Sequence, residues 1–139
     1  ERTKKVITIE NLTTFFRWEE KDALIIYLGG YHNRVRRTLL EKIYREMPEI
    51  QYLHFGDIDV GGFEIYEDLC RKTGIPFLPY HMGIEELRMY REFSRPLTEN
   101  DKRRLKRLME QAGSEGAPYL ETLQLMMEWG IKLEQECIR

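Results

Sequence analysis

Short apolar runs alternate along this chain with longer stretches in which apolar residues return every third or fourth position. Val6-Ile7-Thr8-Ile9 is a β-branched run suited to a strand buried on both faces, and it stops at the polar pair Glu10-Asn11. Ala23 to Leu28 is a second apolar run, ended by Gly29-Gly30. Val35, Leu39, Leu40, Ile43, Tyr44 and Met47 then recur at helical spacing, with Pro48 as the stop. Ile50 to Phe55 reads as a third strand and leads into Gly56-Asp57-Ile58-Asp59-Val60-Gly61-Gly62. Phe63, Ile65, Tyr66, Leu69 and Cys70 mark another helix, closed at Thr73-Gly74 by a glycine C-cap. Ile75 to Tyr80 is a shorter strand whose two prolines place it near a sheet edge.

Strands alternating with helices predict βαβ units, and so a Rossmann-like α/β fold with about four mainly parallel strands flanked by helices. In such sheets ligands gather at the carboxyl ends of the strands, where both acidic motifs lie. The remainder reads as helical. Thr98 and Asp101 resemble a capping box, with Leu105, Leu108, Met109 and Ala112 on one face of the helix that follows. A loop from Gly113 to Pro118 precedes a last helix, expected from about Tyr119 to Ile138 and carrying Leu120, Leu123, Met127 and Ile131. Residues 1–96 are expected to form the core, and 97–139 a helical extension of the same domain.

Composition changes this picture little. A length of 139 residues suits one domain with a real core, and 42% hydrophobic with 33% charged residues suits a globular chain. No apolar run approaches the roughly 20 residues a membrane helix needs, so no membrane partner is expected. Cys70 and Cys137 lie far apart with no zinc-ligand spacing, and read as small buried residues of a reducing cytoplasm. The net charge of −2 means that any attraction for phosphate must come from local basic patches or bound cations. The chain opens on Glu1 with an apolar segment close behind, as expected of the excised C-terminal part of a larger protein whose N-terminal domain would be a partner.

The acids carry the chemistry. Asp57 and Asp59 stand two apart in a glycine-rich turn that allows close approach of a ligand. A hard cation such as Mg²⁺, or Mn²⁺ in its place, relieves the repulsion between such carboxylates and bridges to phosphate oxygens. Glu10, ending a neighbouring strand, offers a third carboxylate, either as a ligand or as a general acid/base. A bare Asp-x-Asp also occurs in solvated loops; the buried strand before it, the glycines after it and Glu10 together favour the metal reading.

The runs Val6 to Asn11, Ile26 to Tyr31 and His54 to Gly62 resemble the Toprim fold of topoisomerases, bacterial primases and related nucleases, whose signature is a Glu closing the first strand and an Asp-x-Asp closing a later one. Within that group the chain looks like the A subunits of type IIB topoisomerases and, closer still, the C-terminal domains of the JetD family, the DNA-cleaving subunits of Wadjet plasmid-defence systems. Leu97 to Asp101 and Leu133 to Glu136 look like that family's tail. Topoisomerases favour Pro after the second Asp, where this chain has Val60, which favours the JetD-like reading. The resemblance implies Mg²⁺ on Asp57 and Asp59 with Glu10 completing the site, and hydrolytic cutting of circular DNA delivered by an SMC-like motor complex. Glu136 would add a carboxylate if the last helix folded back; otherwise it is an exposed helix-end acid. A second copy of the chain counts among the expected partners.

Several residues admit two readings. Arg34, Arg36 and Arg37, after a glycine-rich turn at a helix start, could hold a DNA backbone or form a solvated basic turn. Lys102 and Arg103 head a basic run with Arg104, Lys106 and Arg107 that reads as a solvated helix face or a DNA contact. His32 could meet a phosphate or lie exposed, His54 reads as a core or interface histidine, and His81 has no partner that the sequence names. Phe15, Phe16 and Trp18 are placed in a loop, where they could pack on the core, the favoured reading, or dock a missing domain. Three alternatives to a nuclease remain. A topoisomerase-like cleavage domain would need a tyrosine nucleophile from elsewhere. A haloacid-dehalogenase-type phosphohydrolase would want its motif on the leading strand, and Thr or Val where Gly61 stands. A docking module would bind DNA or a motor subunit without catalysis.

Overall fold

A computed structural model describes residues 2–29, 31 and 33–138; Gly30 and His32 of the glycine-rich turn lie outside the described residues. β1 (Lys5–Ile9), β2 (Ala23–Tyr27), β3 (Gln51–Phe55) and β4 (Leu78–Pro79) form one parallel sheet in the order β2-β1-β3-β4. β1 is therefore an inner strand, and Val6, Ile7, Thr8 and Ile9 are all fully buried, as a continuous β-branched run requires. β2 lies at an edge and is only half covered. β4 is the other edge and shrinks to two residues, because Pro76 and Pro79 bring no N–H to the ladder. Register is flush: Ile9 stands beside Tyr27 on one side and Phe55 on the other.

Helices cover both faces. α1 (Leu12–Arg17) occupies the segment expected to be a loop; Asn11 nucleates it by accepting the Thr14 N–H on its side-chain oxygen at 2.9 Å. Phe15 and Trp18 pack on the core as expected, whereas Phe16 is 76% exposed, because a helix turns it away from its neighbour. α2 (Arg34–Glu46) is capped by Asn33; only Leu40 is fully buried, and Val35 and Leu39 of its apolar stripe face outward. α3 (Val60–Thr73) ends at Gly74 with φ of 71°, the left-handed cap that glycine adopts at least cost. α4 (Ile84–Met89) is a short helix that the apolar pattern did not mark.

α5 (Glu99–Glu115) begins at the Thr98–Asp101 capping box, here fully formed, and runs two residues past Gly113 before stopping at Gly116. α6 (Leu120–Trp129) departs from expectation. It ends at Gly130 in the left-handed conformation, and the chain beyond is extended through Glu134 before a single 3-10 turn, Gln135–Cys137. β6 (Ile131–Lys132) pairs antiparallel with β5 (Arg95–Pro96), and Leu133 then exchanges both main-chain hydrogen bonds with Ile58, at 2.8 and 2.9 Å. The tail thus returns to the Asp-x-Asp loop as a strand. Phe63 of α3 stacks on Tyr119 at 5.0 Å, joining this region to the core of the sheet. Among the described residues no helix is long and apolar enough to cross a membrane.

Burial ranks the strands and helices by sensitivity. Ile7→Val should lower unfolding free energy by about 0.5–1.5 kcal/mol, whereas Val35→Ala on the outer face of α2 should stay within about 0.5 kcal/mol. Urea unfolding of the two variants checks this, and a reversed order would contradict the placement of β1 at the centre.

Candidate metal centre

Because β1 and β3 end side by side, the residues that leave them start from the same level. The Glu10 N–H donates to the Phe55 carbonyl at 3.1 Å, so Glu10 departs directly beside Gly56-Asp57. Between the two aspartates, Ile58 is fully buried and bridged to Leu133. Extended backbone sends alternate side chains to opposite faces, so anchoring Ile58 inward turns Asp57 and Asp59 away from the core together. This is the structural reason for the spacing of two.

Each acid has a different local partner. Asp57 Oδ1 accepts the main-chain N–H of Gln135 at 2.7 Å. Asp59 is the N-cap of α3, its Oδ1 accepting the Gly62 N–H at 2.6 Å. Gly62 is required by this turn, since a Cβ there would stand 2.0 Å from the Asp57 carbonyl oxygen. The Glu10 carboxylate accepts from the Asp57 main chain, while its Oε1 is buried with no hydrogen-bond partner. A Cβ on Gly56 would lie 3.2 Å from that oxygen and 3.0 Å from His54 Nε2, so glycine leaves room beside the Glu10 carboxylate.

The electrostatics follow from this crowding. Burial, then the charges of Asp57 and Asp59, push Glu10 up from its ordinary 4.5 to about 8. Asp57 is pushed from 3.8 to about 6, chiefly by burial and also by Asp59, Glu134 and Glu136, with the Gln135 N–H opposing. Asp59 is raised by burial as well, although its Gly62 hydrogen bond and the cations Lys132 and Arg104 oppose the shift. Three partly buried carboxylates that resist ionisation together are what a divalent cation would relieve. Among the described residues no three His, Cys, Asp or Glu side chains are placed to hold one metal ion together. Mg²⁺ does not demand one, since it keeps several waters and takes one or two carboxylates. The unpartnered Glu10 Oε1 beside Asp57 fits that mode of binding.

The other sequence candidates fall elsewhere. Glu136 is exposed in a short 3-10 turn, Gln135–Cys137, beyond the end of α6; its charge reaches Asp57, and its main-chain carbonyl accepts from Arg17 at 2.9 Å. Glu134 acts on Asp57 in the same way and was not anticipated. Arg34 is exposed, and Arg36 donates to the Leu28 carbonyl at 3.4 Å and lies over the Tyr27 ring, with Arg37 half-buried on the same helix. Lys102 and Arg103 are exposed and paired locally with Glu99 and Asn100. His54 is fully buried with Nδ1 at 2.8 Å from Thr8 Oγ1. His81 finds Glu86 at 3.3 Å and packs against Trp18 and Phe55. Both cysteines are free thiols and half-buried rather than fully so. A cavity of about 450 Å³ beyond β4, lined by His81, Glu86 and Tyr119 among others, includes none of the three acids.

Gln135 is the site residue that the sequence did not disclose. It is fully buried, and its side chain joins the Asn11 N–H to the Phe55 carbonyl. A lone glutamine in a tail read as helical carries no periodic or motif signal. The only hint was its place within the family-like run Leu133 to Glu136.

Two comparisons bear on this arrangement. A family model described as Wadjet protein JetD, C-terminal, matches residues 1–139. The chain is also 28% identical over 139 residues to Wadjet protein JetD of Bacillus cereus (strain Q1), an alignment covering 97% of this chain and 34% of that protein. The chain therefore spans about a third of that relative's length.

Raised carboxylate pKa values make metal-free stability depend on pH. The unfolded chain ionises Glu10 near 4.5 and the folded chain near 8, so between these values the folded state holds the extra proton. Stability should therefore fall as pH rises across that window and level off above it, with Asp57 contributing between 3.8 and about 6. Glu10→Gln, which removes the charge at constant shape, should flatten the upper part of the slope and stabilise the metal-free chain at pH 8. Saturating Mg²⁺ should do the same for the unsubstituted chain. Urea titrations at pH 5 and 8 measure both effects; a flat profile in the unsubstituted chain would contradict the burial of Glu10.

Proposed function

This chain belongs to the family of JetD C-terminal domains, and on that premise we propose that it is the catalytic domain, of Toprim type, of a metal-dependent DNA endonuclease. The observation that carries the proposal is the buried, unpartnered Glu10 Oε1 standing beside Asp57 at the flush ends of β1 and β3. Glu10 and Asp57 would hold Mg²⁺ or Mn²⁺ together with waters, and Asp59 would add its negative charge beside them. A bound divalent ion supplies charge neutralisation at a phosphodiester and polarises water or the leaving oxygen. If Glu10 does not itself bind the ion, its carboxyl, with Oε1 free of other partners, is the group placed to take a proton from an attacking water or return one to the departing oxygen. Asp59 fixes the start of α3 through Gly62, and thereby the loop that carries Asp57.

The acids occupy a surface rim rather than the cavity beyond β4, which suits a polymer substrate. On this reading the substrate is circular plasmid DNA, and the remaining two thirds of a JetD-like protein, with an SMC-like motor complex, would deliver it. Positioning of the scissile phosphate then comes largely from outside this chain, so the isolated domain should cut poorly.

The test uses the full-length protein assembled with its partner subunits. Glu10→Gln should reduce plasmid cleavage by about 10²- to 10⁴-fold. Asp57→Ala with Asp59→Ala should abolish cleavage with unchanged circular dichroism. Full cleavage by either variant would remove the nuclease reading. Equal Mg²⁺ affinity in the unsubstituted chain and Asp57→Ala would favour a docking module that keeps the fold without the chemistry.

A further inference from the structure

We infer that Gln135 is a positioning residue that locks the two acid-bearing loops into one arrangement able to take a divalent cation; the inference rests on the metal reading above. Three hydrogen bonds converge on this residue. Its Oε1 accepts the Asn11 N–H at 2.6 Å, its Nε2 donates to the Phe55 carbonyl at 3.0 Å, and its main-chain N–H donates to Asp57 Oδ1 at 2.7 Å. Asn11 directly follows Glu10, and Phe55 stands two residues before Asp57. One side chain therefore ties the exit of β1 to the exit of β3, and its own backbone reaches the carboxylate between them.

Both side-chain partners are main-chain groups, whose polarity is fixed. One is a donor and the other an acceptor, and a side-chain amide is the group that answers both at once. A carboxylate would point a second acceptor at the Phe55 carbonyl, and an aliphatic side chain would leave two buried polar groups unpaired. The tail is held on either side of this contact. Leu133 pairs with Ile58 before it, and the Arg17 guanidinium binds the Glu136 carbonyl after it, with Ile138 buried beyond. Gln135 itself is neutral among acids, with Glu134 and Glu136 already acting on Asp57, so its contribution is orientation and not charge.

Mn²⁺ binding to this chain, followed by electron paramagnetic resonance at neutral pH, separates the outcomes. Gln135→Ala should weaken Mn²⁺ binding roughly 10- to 100-fold, the usual cost of removing a residue that orients a metal ligand. Leu123→Val, a cavity-forming change in the buried face of α6, should leave affinity unchanged. Gln135→Glu should also weaken binding. If charge rather than orientation governed the site, it would tighten binding, and that result would overturn the inference. Equal affinity in Gln135→Ala and the unsubstituted chain would overturn this inference alone. Absence of Mn²⁺ binding in the unsubstituted chain would overturn the metal reading and this inference with it. A measurement without substitution guards against variants that fail to fold. Mg²⁺ should slow hydrogen exchange at the Asn11 and Gln135 amides, and exchange rates that ignore Mg²⁺ would count against the role assigned to Gln135.

Discussion

Two parallel strands that end at the same level support everything else at this site. Ile9 pairs with Phe55, so β1 and β3 release Glu10 and Gly56-Asp57 side by side from the interior of a sheet. A slip of one residue would turn every side chain of β1 to the other face, and the full burial of Val6 through Ile9 penalises such a slip heavily. The Phe55 carbonyl sits at the junction. It accepts from the Glu10 N–H and from the Gln135 side chain, so the rim is fixed both by the sheet and by a tail 80 positions away in sequence.

That rim is electrostatically unfavourable in the metal-free chain. Three partly buried acids repel one another, and the cations Lys132 and Arg104 offset the charge at Asp59. Proteins tolerate such frustration where function needs it, and the surrounding apolar packing offsets it. Here Ile58 anchors the middle of the Asp-x-Asp loop, Gly62 lets α3 start against the Asp57 carbonyl, α5 backs the same helix through the Arg104–Glu64 ion pair, and Tyr119 at the start of α6 stacks on Phe63. The C-terminal helices therefore serve the rim indirectly, and the tail serves it by direct contact through Gln135.

Much of this was legible in residue order, and the exceptions are instructive. The β-branched run at Val6 identified an inner strand, the two prolines around Phe77 identified an edge, and Thr98 with Asp101 identified a helix start; each of these is a local rule that tertiary packing did not override. Glu10, Asp57 and Asp59 stood out because they follow buried strands. α1 was missed because its start depends on one Asn11 hydrogen bond rather than on periodicity. The helix expected to run to Ile138 stops at Gly130, since apolar residues at 131 and 133 suit an extended strand as well as a helical face. What decides between them is pairing with β5 and Ile58, contacts distant in sequence. Gln135 stayed hidden for the same reason, its partners lying about 80 and 124 residues earlier.

The central claim is that the Glu10 and Asp57 carboxylates share a divalent ion. Anomalous diffraction from crystals of this chain soaked in Mn²⁺ tests it most directly. A shared ion gives one strong peak at roughly 2.0–2.2 Å from oxygens of both residues, close to the spacing of Mg²⁺ to its ligands. A peak held by other residues, or its absence from this rim at saturating Mn²⁺, would contradict it.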